Sequence, residues 1–155
     1  MWKLGLLGYP IAHSRSPSIH RAALNASGLE GDYLLFEHGA DDLQEIMGSL
    51  REGRIHGLNV TIPHKERLRD SCDDLDPVAE LVGAVNTLVP KDGRLVGYNT
   101  DVMGLEHALL AKWPEKPWSA KRCTIFGAGG AARAAAGGAG GGRHACQGLL
   151  ARPLL

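Results

Sequence analysis

Short hydrophobic stretches bounded by glycine or proline alternate with segments of helical periodicity along the first 60 residues. "KLGLLG" predicts a buried strand that ends at Gly8, and a helix is expected from about Pro17 to Ala26. "DYLLFEH" then predicts a second strand, "DDLQEIMGSL" a second helix and "IHGLNVTI" a third strand. Because strands that alternate with helices favour a parallel sheet covered by helices, the expected fold class is α/β with a mostly parallel sheet.

Turn and helix signals continue through the middle of the chain. Pro63 is expected to open one short helix and Pro77 another. "AVNTLVPKDGRLVGY" predicts a hairpin that turns at its Asp-Gly pair, so that an antiparallel pair joins the sheet. A helix is expected in "MGLEHALLAKW", and the proline-rich "PEKPWSAK" predicts a domain boundary. We therefore expect one domain at 1–111 and a boundary plus a second, incomplete domain at 112–155.

The second segment begins with a glycine-rich pattern. "RCTIFGAGGAARA" predicts a strand, a glycine loop and a helix, the opening of a dinucleotide-binding unit in which the backbone approaches a pyrophosphate. In "AAAGGAGGGR" five glycines follow, each costing roughly 1 kcal/mol relative to alanine in a helix, so no stable helix is expected there. Only 28 residues follow Gly127, and none of them is acidic. The sequence thus predicts the incomplete start of a Rossmann domain.

The formal net charge of zero conceals an asymmetry along the chain. All 17 Asp and Glu lie at or before Glu115 together with 11 of the 17 Lys and Arg, whereas the remaining six basic residues follow it. A basic tail can bind nucleic acid, but these charges are scattered and no aromatic residue follows Phe126, which argues against that partner. The change in composition after Glu115 is typical of a truncated chain or of translation in a shifted frame of a GC-rich gene.

The hydropathy of the chain and the spacing of its cysteines argue against membrane-spanning, disulfide-rich and zinc-binding proteins. No apolar run reaches the roughly 18 residues that span a bilayer, and the N-terminus is unlike a signal peptide, so a cytoplasmic protein without a membrane partner is expected. Neither a disulfide framework nor a zinc site is indicated by the three widely spaced cysteines Cys72, Cys123 and Cys146. No spacing supports a metal site among the histidines near the polar motifs, which we expect to be packing or surface residues: His13, His20 and His64.

Two serines precede the first helix in "AHSRSPSIH". Ser16, directly before Pro17, suits a helix N-cap, which is a purely structural role. The hydroxyl of Ser14, two residues earlier on an extended segment, would point the same way as that of Ser16. Two hydroxyls beside a helix N-terminus would also form a carboxylate-binding corner, and spacing alone leaves both interpretations open.

A lysine follows the third strand in "LNVTIPHKE". Asn59 and Thr61, two apart on a strand, would face the same side and offer an amide and a hydroxyl to a polyol at the carboxyl end of the sheet. Lys65 is expected in the first turn of the helix that Pro63 opens, where the helix dipole disfavours a cation. A solvated surface lysine is the alternative.

Two more polar clusters fall at predicted strand ends. "GAVNTL" places Asn86 early in a strand, and "GYNTD" ends another strand at Asp101. Each cluster by itself is typical of an ordinary turn. A lysine and an aspartate brought together would flank a substrate hydroxyl, one exchanging its proton and the other fixing its position and charge.

Five segments in this order resemble the shikimate dehydrogenase family: "GYPIAHSRSPSIH", "GLNVTIPHKE", "GAVNTLV", "GYNTD" and "GAGGAARA". The resemblance runs from about Gly5 to Ala134 and implies an NADP-dependent oxidoreductase that reversibly reduces 3-dehydroshikimate to shikimate in aromatic amino acid (chorismate) biosynthesis. It also implies a substrate domain with a mostly parallel sheet, a following Rossmann domain, and an active site in the cleft between them. Where many members have glycine directly after "NTD", this chain has Val102.

The resemblance also implies roles for individual residues. Lys65 would be the catalytic acid/base, partnered by Asp101. The substrate would be bound by Ser14 and Ser16 at its carboxylate and by Asn59, Thr61 and Asn86 at its hydroxyls, and the phosphates of NADP would rest on Gly127, Ala128, Gly129, Gly130 and Ala131.

The partner that the resemblance implies is this small-molecule substrate, and the sequence leaves a homodimer open. Two other functions remain as alternatives. One is a shikimate-binding fragment without turnover, and the other is a dehydrogenase that favours quinate.

Overall fold

The computed structural model describes residues 1–39, 43–114 and 124–140. Its strands are β1 (Trp2–Gly8), β2 (Gly31–Glu37), β3 (Gly57–Val60), β4 (Asp74–Leu75), β5 (Thr87–Lys91) and β6 (Arg94–Tyr98). Its helices are α1 (Ser16–Ala26), α2 (Gln44–Arg51), α3 (Pro77–Val82), α4 (Asp101–Lys112) and α5 (Gly130–Gly140), with one 3₁₀ helix at Arg67–Ser71. The order of strands and helices up to α4 is the predicted one, apart from the helix expected at Pro63 and the short strand β4.

The six strands form one sheet in the order β2-β1-β3-β5-β6-β4. β5 is antiparallel to both of its neighbours, β3 and β6, and the other pairs are parallel. The predicted α/β class with a mostly parallel sheet is confirmed. As a result, the carboxyl ends of five strands and the amino end of β5 lie at the same edge of the sheet.

Side chains that alternate along β1 fill two separate hydrophobic clusters. Leu7 lies on one face, in the larger cluster with residues from α2, β3, β5 and β6, and is fully buried. Leu6 lies on the other face and packs with Ile11 and Tyr33. Burial of one such leucine contributes about 1.5–3 kcal/mol, so the two clusters hold the strand ends in place from both sides.

No helix in the described ranges is long and apolar enough to cross a bilayer.

The predicted hairpin turns where the sequence indicates. β5 and β6 pair from Thr87 opposite Tyr98 to Lys91 opposite Arg94, which leaves a two-residue loop. Both loop residues have positive φ, 52° at Asp92 and 76° at Gly93. Asp-Gly is a preferred pair for such a turn because its twist matches that of the flanking strands.

The helix expected at Pro63 is absent, so this prediction is wrong. Residues 62–66 form turns and a bend, and the 3₁₀ helix begins only at Arg67. The Lys65 carbonyl accepts a hydrogen bond from the Val85 backbone N–H at 2.7 Å, so it is not used within a helix. Lys65 therefore lies in a turn, and the helix-dipole argument does not apply to it.

Two predictions for the glycine-rich segment are also wrong. Residues 124–126 are not part of a strand, since all six strands in the described ranges lie between Trp2 and Tyr98; residues 122 and 123 of the predicted strand lie outside the described residues. The expected interruption of the helix by glycine does not occur up to Gly140; residues 141 and 142 lie outside the described residues, as does most of the predicted boundary at 114–121. A Cβ on Gly137 would lie 2.3 Å from the Val82 Cγ1 atom of α3, so glycine permits close helix packing that offsets its poor helix propensity.

Candidate active site

Lys65 and Asp101 meet at the carboxyl edge of the sheet. The Lys65 Nζ atom donates to the Asp101 Oδ2 atom at 2.6 Å, and the two side chains are 15% and 35% exposed. Lys65 lies in the turn after β3, and Asp101 is the first residue of α4 after β6. The predicted lysine–aspartate contact is therefore present, and the alternative of a solvated surface lysine is wrong.

The Asn86 side chain holds the second oxygen of Asp101. Its Nδ2 atom donates to Asp101 Oδ1 at 2.9 Å and to Thr100 Oγ1 at 2.8 Å. Its Oδ1 atom accepts from the Thr100 backbone N–H at 2.9 Å. Asn86 is only 7% exposed and precedes β5, whose reversed direction brings it to the same edge as Lys65. Both Asp101 carboxylate oxygens thus have a charged or polar donor.

Asn99 positions the start of α4. Its Oδ1 atom accepts from the backbone N–H groups of Asp101 and Val102 at 3.1 and 3.4 Å, and its Nδ2 atom donates to the Ala84 carbonyl at 2.9 Å. The side chain caps the helix while tying it to the segment before β5. A carboxylate in the first turn of a helix is also favoured by the helix dipole, which suits Asp101. α4 begins at Asp101 with Val102 as its second residue.

The two serines lie together beside α1. Ser14 Oγ donates to Ser16 Oγ at 3.1 Å, and the Ser16 backbone N–H donates to Ser14 Oγ at 3.2 Å. Ser16 is the first residue of α1 and not its N-cap, which is Arg15 without a side-chain capping bond. The capping interpretation of Ser16 is therefore wrong. The two hydroxyls lie close together although Arg15 between them has a helical and not an extended conformation.

Hydrogen bonds extend from the lysine–aspartate pair through Asn86 to Asn59 and to two residues that sequence reasoning missed, Tyr33 and Thr87. The Tyr33 phenol donates to Asn59 Oδ1 at 2.8 Å. Asn59 Nδ2 then donates to Thr87 Oγ1 at 3.2 Å, and Thr87 Oγ1 to Asn86 Oδ1 at 3.0 Å. No signal in "DYLLFEH" indicates that the Tyr33 hydroxyl belongs to the site. Thr87 could have been predicted, because it follows Asn86 directly in the sequence. Three of the four predicted polar clusters, "LNVTIPHKE", "GAVNTL" and "GYNTD", are thus joined in one network.

Tyr33 is a buried phenol. It is 1% exposed, and burial raises its pKa to about 12, although the Ser16 hydroxyl acts in the opposite direction. The His20 ring stacks on it with centroids 4.2 Å apart and planes 5° apart. Burial also lowers the pKa of His20. Tyr33 is therefore a neutral hydroxyl at physiological pH.

Thr61 lies directly after β3 and packs against β1. Its backbone N–H donates to the Leu7 carbonyl at 2.9 Å, which continues the ladder between β3 and β1 by one residue. A Cβ on Gly8 would lie 2.4 Å from the Thr61 Cγ2 atom. Glycine at the end of β1 therefore makes room for Thr61 at the edge where Lys65 and Asn86 lie.

The glycine loop lies against the turn that carries Lys65. Gly127 has a φ of 120°, Ala128 and Gly129 are exposed, and a Cβ on Gly130 would lie 2.8 Å from the Lys65 Cβ atom. Arg133 of α5 pairs with Glu66 at 3.0 Å. An exposed loop with little side chain at the start of a helix suits a phosphate, and Arg133 offsets the nearby Glu66 charge.

The histidines have surroundings typical of packing or surface residues, as predicted. His13 is exposed and His20 stacks on Tyr33. His64 is fully buried, with its Nε2 atom 2.7 Å from the His38 carbonyl and its Nδ1 atom without a partner in the part of the chain that the structure describes. Across the same residues, no group of three or more His, Cys, Asp or Glu is placed to hold a metal ion.

Comparisons with known proteins place the chain near one family. Residues 6–88 match the family model of the shikimate dehydrogenase substrate binding domain. The chain is 45% identical over 132 residues to the shikimate dehydrogenase (NADP(+)) of Oceanobacillus iheyensis, covering 84% of this chain and 48% of the relative. It is 44% identical over 130 residues to the enzyme of the same name from Bacillus subtilis, covering 84% and 46%.

Solved structures show the same likeness. The crystal structure of shikimate 5-dehydrogenase from Thermus thermophilus in complex with NADP(H) and shikimate superposes with a TM-score of 0.80 at 38% identity, covering 89% of this chain and 51% of that one. The chain spans about half the length of the curated relatives that it matches. The matched domain covers more than half of the chain and includes three of the strand ends that form the site. The chain therefore belongs to the shikimate dehydrogenase family.

Proposed function

We propose that this chain carries the substrate site of an NADP-dependent oxidoreductase that reversibly reduces 3-dehydroshikimate to shikimate. The observation that supports this most is the contact of 2.6 Å between Lys65 and Asp101, in one hydrogen-bonded network with Asn86 and Asn59. The relatives named above are called shikimate dehydrogenase (NADP(+)), and one matched structure is in complex with NADP(H) and shikimate.

The substrate carboxylate is assigned to the two serines. Their hydroxyls are 3.1 Å apart and partly exposed, so both can turn toward one anion at the start of α1. The hydroxyl groups of the substrate are assigned to Asn59, Thr61 and Asn86. Both amide hydrogens of Asn86 already have acceptors, so Asn86 contacts substrate by exchanging its bond to the Thr100 hydroxyl.

The proton step is assigned to Lys65. In the reduction, its ammonium donates a proton to the carbonyl oxygen on which negative charge develops. In the reverse direction, the neutral amine accepts the hydroxyl proton, and Asp101 stabilises the ammonium that forms. Asn86 keeps Asp101 in place through its bond of 2.9 Å to the second carboxylate oxygen. Because Lys65 is only 15% exposed, few water molecules compete with the substrate for its proton.

The phosphates of NADP are assigned to Gly127, Ala128, Gly129, Gly130 and Ala131. The exposed, nearly side-chain-free loop at the start of α5 fits the pyrophosphate portion of the cofactor. When bound, NADP(H) supplies or accepts the hydride. The division into a substrate domain at 1–111 and a cofactor segment at 112–155 remains part of this proposal.

A specific observation also favours a second candidate, a shikimate-binding chain without turnover. Residues 124–126 do not form the strand that precedes the glycine loop in a dinucleotide-binding unit, so the loop lacks one of its supports. Isothermal titration of the chain with shikimate and with NADP separates the two candidates, because turnover requires both ligands and binding alone requires only the first.

The test of the proposal uses two lysine variants. With the wild-type chain, we expect shikimate binding and, if the first candidate is correct, production of NADPH from shikimate and NADP measured by absorbance. Lys65→Ala should abolish NADPH production while weakening shikimate binding far less, and Lys91→Ala, at an exposed strand residue, should change neither. Binding without NADPH production supports the second candidate. No shikimate binding, or stronger binding of quinate, contradicts the proposed substrate.

A further inference from the structure

The hydrogen bonds between Asn86 and its neighbours have only one consistent direction. A carboxylate only accepts and a backbone N–H only donates, so Asp101 and the Thr100 N–H together fix the Asn86 amide. Its Nδ2 atom must face Asp101 Oδ1, at 2.9 Å, and its Oδ1 atom must face the Thr100 N–H, also at 2.9 Å. A flipped amide would place two acceptors against each other at one end and two donors at the other.

The orientation of the Asn86 amide also determines which groups donate and which accept in the hydrogen bonds of Thr87, Asn59 and Tyr33. Because Asn86 presents an acceptor, the single hydroxyl hydrogen of Thr87 points to Asn86 Oδ1. The Thr87 oxygen therefore accepts from Asn59, which must present Nδ2 at 3.2 Å. Asn59 Oδ1 then faces Tyr33, and the phenol must be the donor at 2.8 Å.

Tyr33 is the last residue of this hydrogen-bonded network, and its side chain is held in place by packing. Its ring is 1% exposed, packs with Leu6 and Ile11, and stacks on His20. Thr87 is the first residue of β5, and it pairs with Asn59 of the neighbouring strand β3. The supports thus come from three strands, β2, β3 and β5, and not from the loops that carry the reacting groups.

We propose that Tyr33, Asn59 and Thr87 are positioning residues that hold the Asn86 amide toward Asp101 and thereby hold Asp101 against Lys65. The proposal deepens the substrate site described above and rests on that proposed function. None of the three needs to touch the reacting atoms. Loss of the Thr87 hydroxyl leaves Asn59 Nδ2 without this acceptor and removes one of three donors to Asn86 Oδ1, the other two being the backbone N–H and the hydroxyl of Thr100. The Asn86 amide is then held less firmly, which loosens the Asn86–Asp101 contact.

The test removes one hydroxyl at a time with little change in shape. Tyr33→Phe deletes the phenol oxygen, and Thr87→Val replaces the hydroxyl by a methyl group that suits a strand. Thr87→Ser keeps the hydroxyl and is the conservative rescue. Tyr9→Phe is the matched control, since Tyr9 is exposed and is not a member of the network.

The first measurement does not depend on any ligand. In isotope-labelled chain, NMR resolves the side-chain amide signals of asparagine, and Asn59→Asp and Asn86→Asp variants assign the two signals of interest. We expect both signals to move in Thr87→Val and in Tyr33→Phe, whereas Thr87→Ser and Tyr9→Phe leave them in place. An unchanged Asn86 signal in a folded Thr87→Val variant overturns the proposal. If Tyr33→Phe does not fold, the two Thr87 variants decide.

The second measurement is shikimate affinity by isothermal titration. A half-buried Asn59 amide left unsatisfied weakens binding by roughly tenfold, and we expect this loss in Tyr33→Phe and Thr87→Val. Thr87→Ser should restore affinity to within about threefold of wild type. If the role of Thr87 were purely structural, Thr87→Val would be less stable in urea, but its shikimate affinity would not differ from that of Thr87→Ser. If wild-type chain does not bind shikimate, the proposed function fails, while the amide signals still decide whether the network exists.

Discussion

The contact between Asn86 and Asp101 gives a prediction whose size depends on pH. Asn86→Asp keeps the shape of the side chain but replaces the amide nitrogen, which lies 2.9 Å from Asp101 Oδ1, by a second carboxylate oxygen. The variant has two carboxyl groups in contact at a site where residue 86 is only 7% exposed. Two like charges so placed cannot both ionise freely.

The size of the effect follows from the distance. Two unit charges 2.9 Å apart repel by about 1.4 kcal/mol at the dielectric constant of water and by about 6 kcal/mol at a value of 20. Protonation limits the loss, because it costs about 1.4 kcal/mol for each pH unit above the usual aspartate pKa near 3.9, or about 4 kcal/mol at pH 7. We expect the variant to be less stable than wild type by between about 1.5 and 4 kcal/mol at neutral pH.

The assay is urea unfolding of both chains at several pH values. In the variant, repulsion gives the folded carboxyl pair a higher proton affinity than the unfolded chain has. The stability deficit is therefore small below the unfolded pKa, near pH 4, and grows as the pH rises toward 7. Asn25→Asp is the control, because Asn25 is exposed on α1 and its substitution should cost no more than about 0.5 kcal/mol. A deficit of the same size at pH 5 and pH 8, or no deficit at either, would refute the contact.

Three further predictions test the surroundings of the site. Gly8→Ala should lower the free energy of unfolding in urea by about 1–3 kcal/mol and weaken shikimate binding, because its Cβ would lie 2.4 Å from Thr61. Gly48→Ala in α2, with open space around it, is the control and should stabilise the chain by about 0.5–1 kcal/mol. Equal effects of the two substitutions would contradict the close approach of Gly8 and Thr61. Burial, with the charge of the neighbouring aspartate, raises the pKa of the Cys72 thiol to about 11, so mass spectrometry should find its peptide almost unalkylated by iodoacetamide at pH 8. Tyr33, whose pKa rises from 10.0 to about 12, stabilises the fold fully below pH 10 and loses this contribution as the pH approaches 12, so Tyr33→Phe should flatten that part of the stability curve.

Local patterns predicted most of the elements correctly because their causes are local. The Asp-Gly pair of the hairpin requires positive φ at both positions, and Pro77 with its preceding Asp76 starts α3 with the Asp76 side chain accepting from Ala79 and Val78. Pro63 carries a similar helix-start signal, yet no helix follows. There the Lys65 carbonyl bonds to Val85, a residue 20 positions away that no local pattern reveals.

The glycine-rich segment shows the opposite error. Helix propensity alone argues against α5 beyond residue 136, but Gly137 lies against Val82 of α3, and α5 also packs on α4. Tertiary packing outweighs propensity when an element has a surface to bury. The strand predicted before the glycine loop fails for the converse reason, since no strand of the described ranges pairs with it.

The sequence by itself determined which chemical groups stand at the ends of the strands: the two serines, the lysine, the asparagines and the aspartate, each next to a turn or helix start. Only the tertiary structure decided which of these groups meet. Lys65 and Asp101 are 36 positions apart, and Tyr33 and Thr87 join the site through partners 26 and 28 positions away. The reversed direction of β5 brings Asn86 to the edge where the parallel strands end. The order and direction of strands in a sheet depend on long-range pairing and burial, which leave no local trace along the chain.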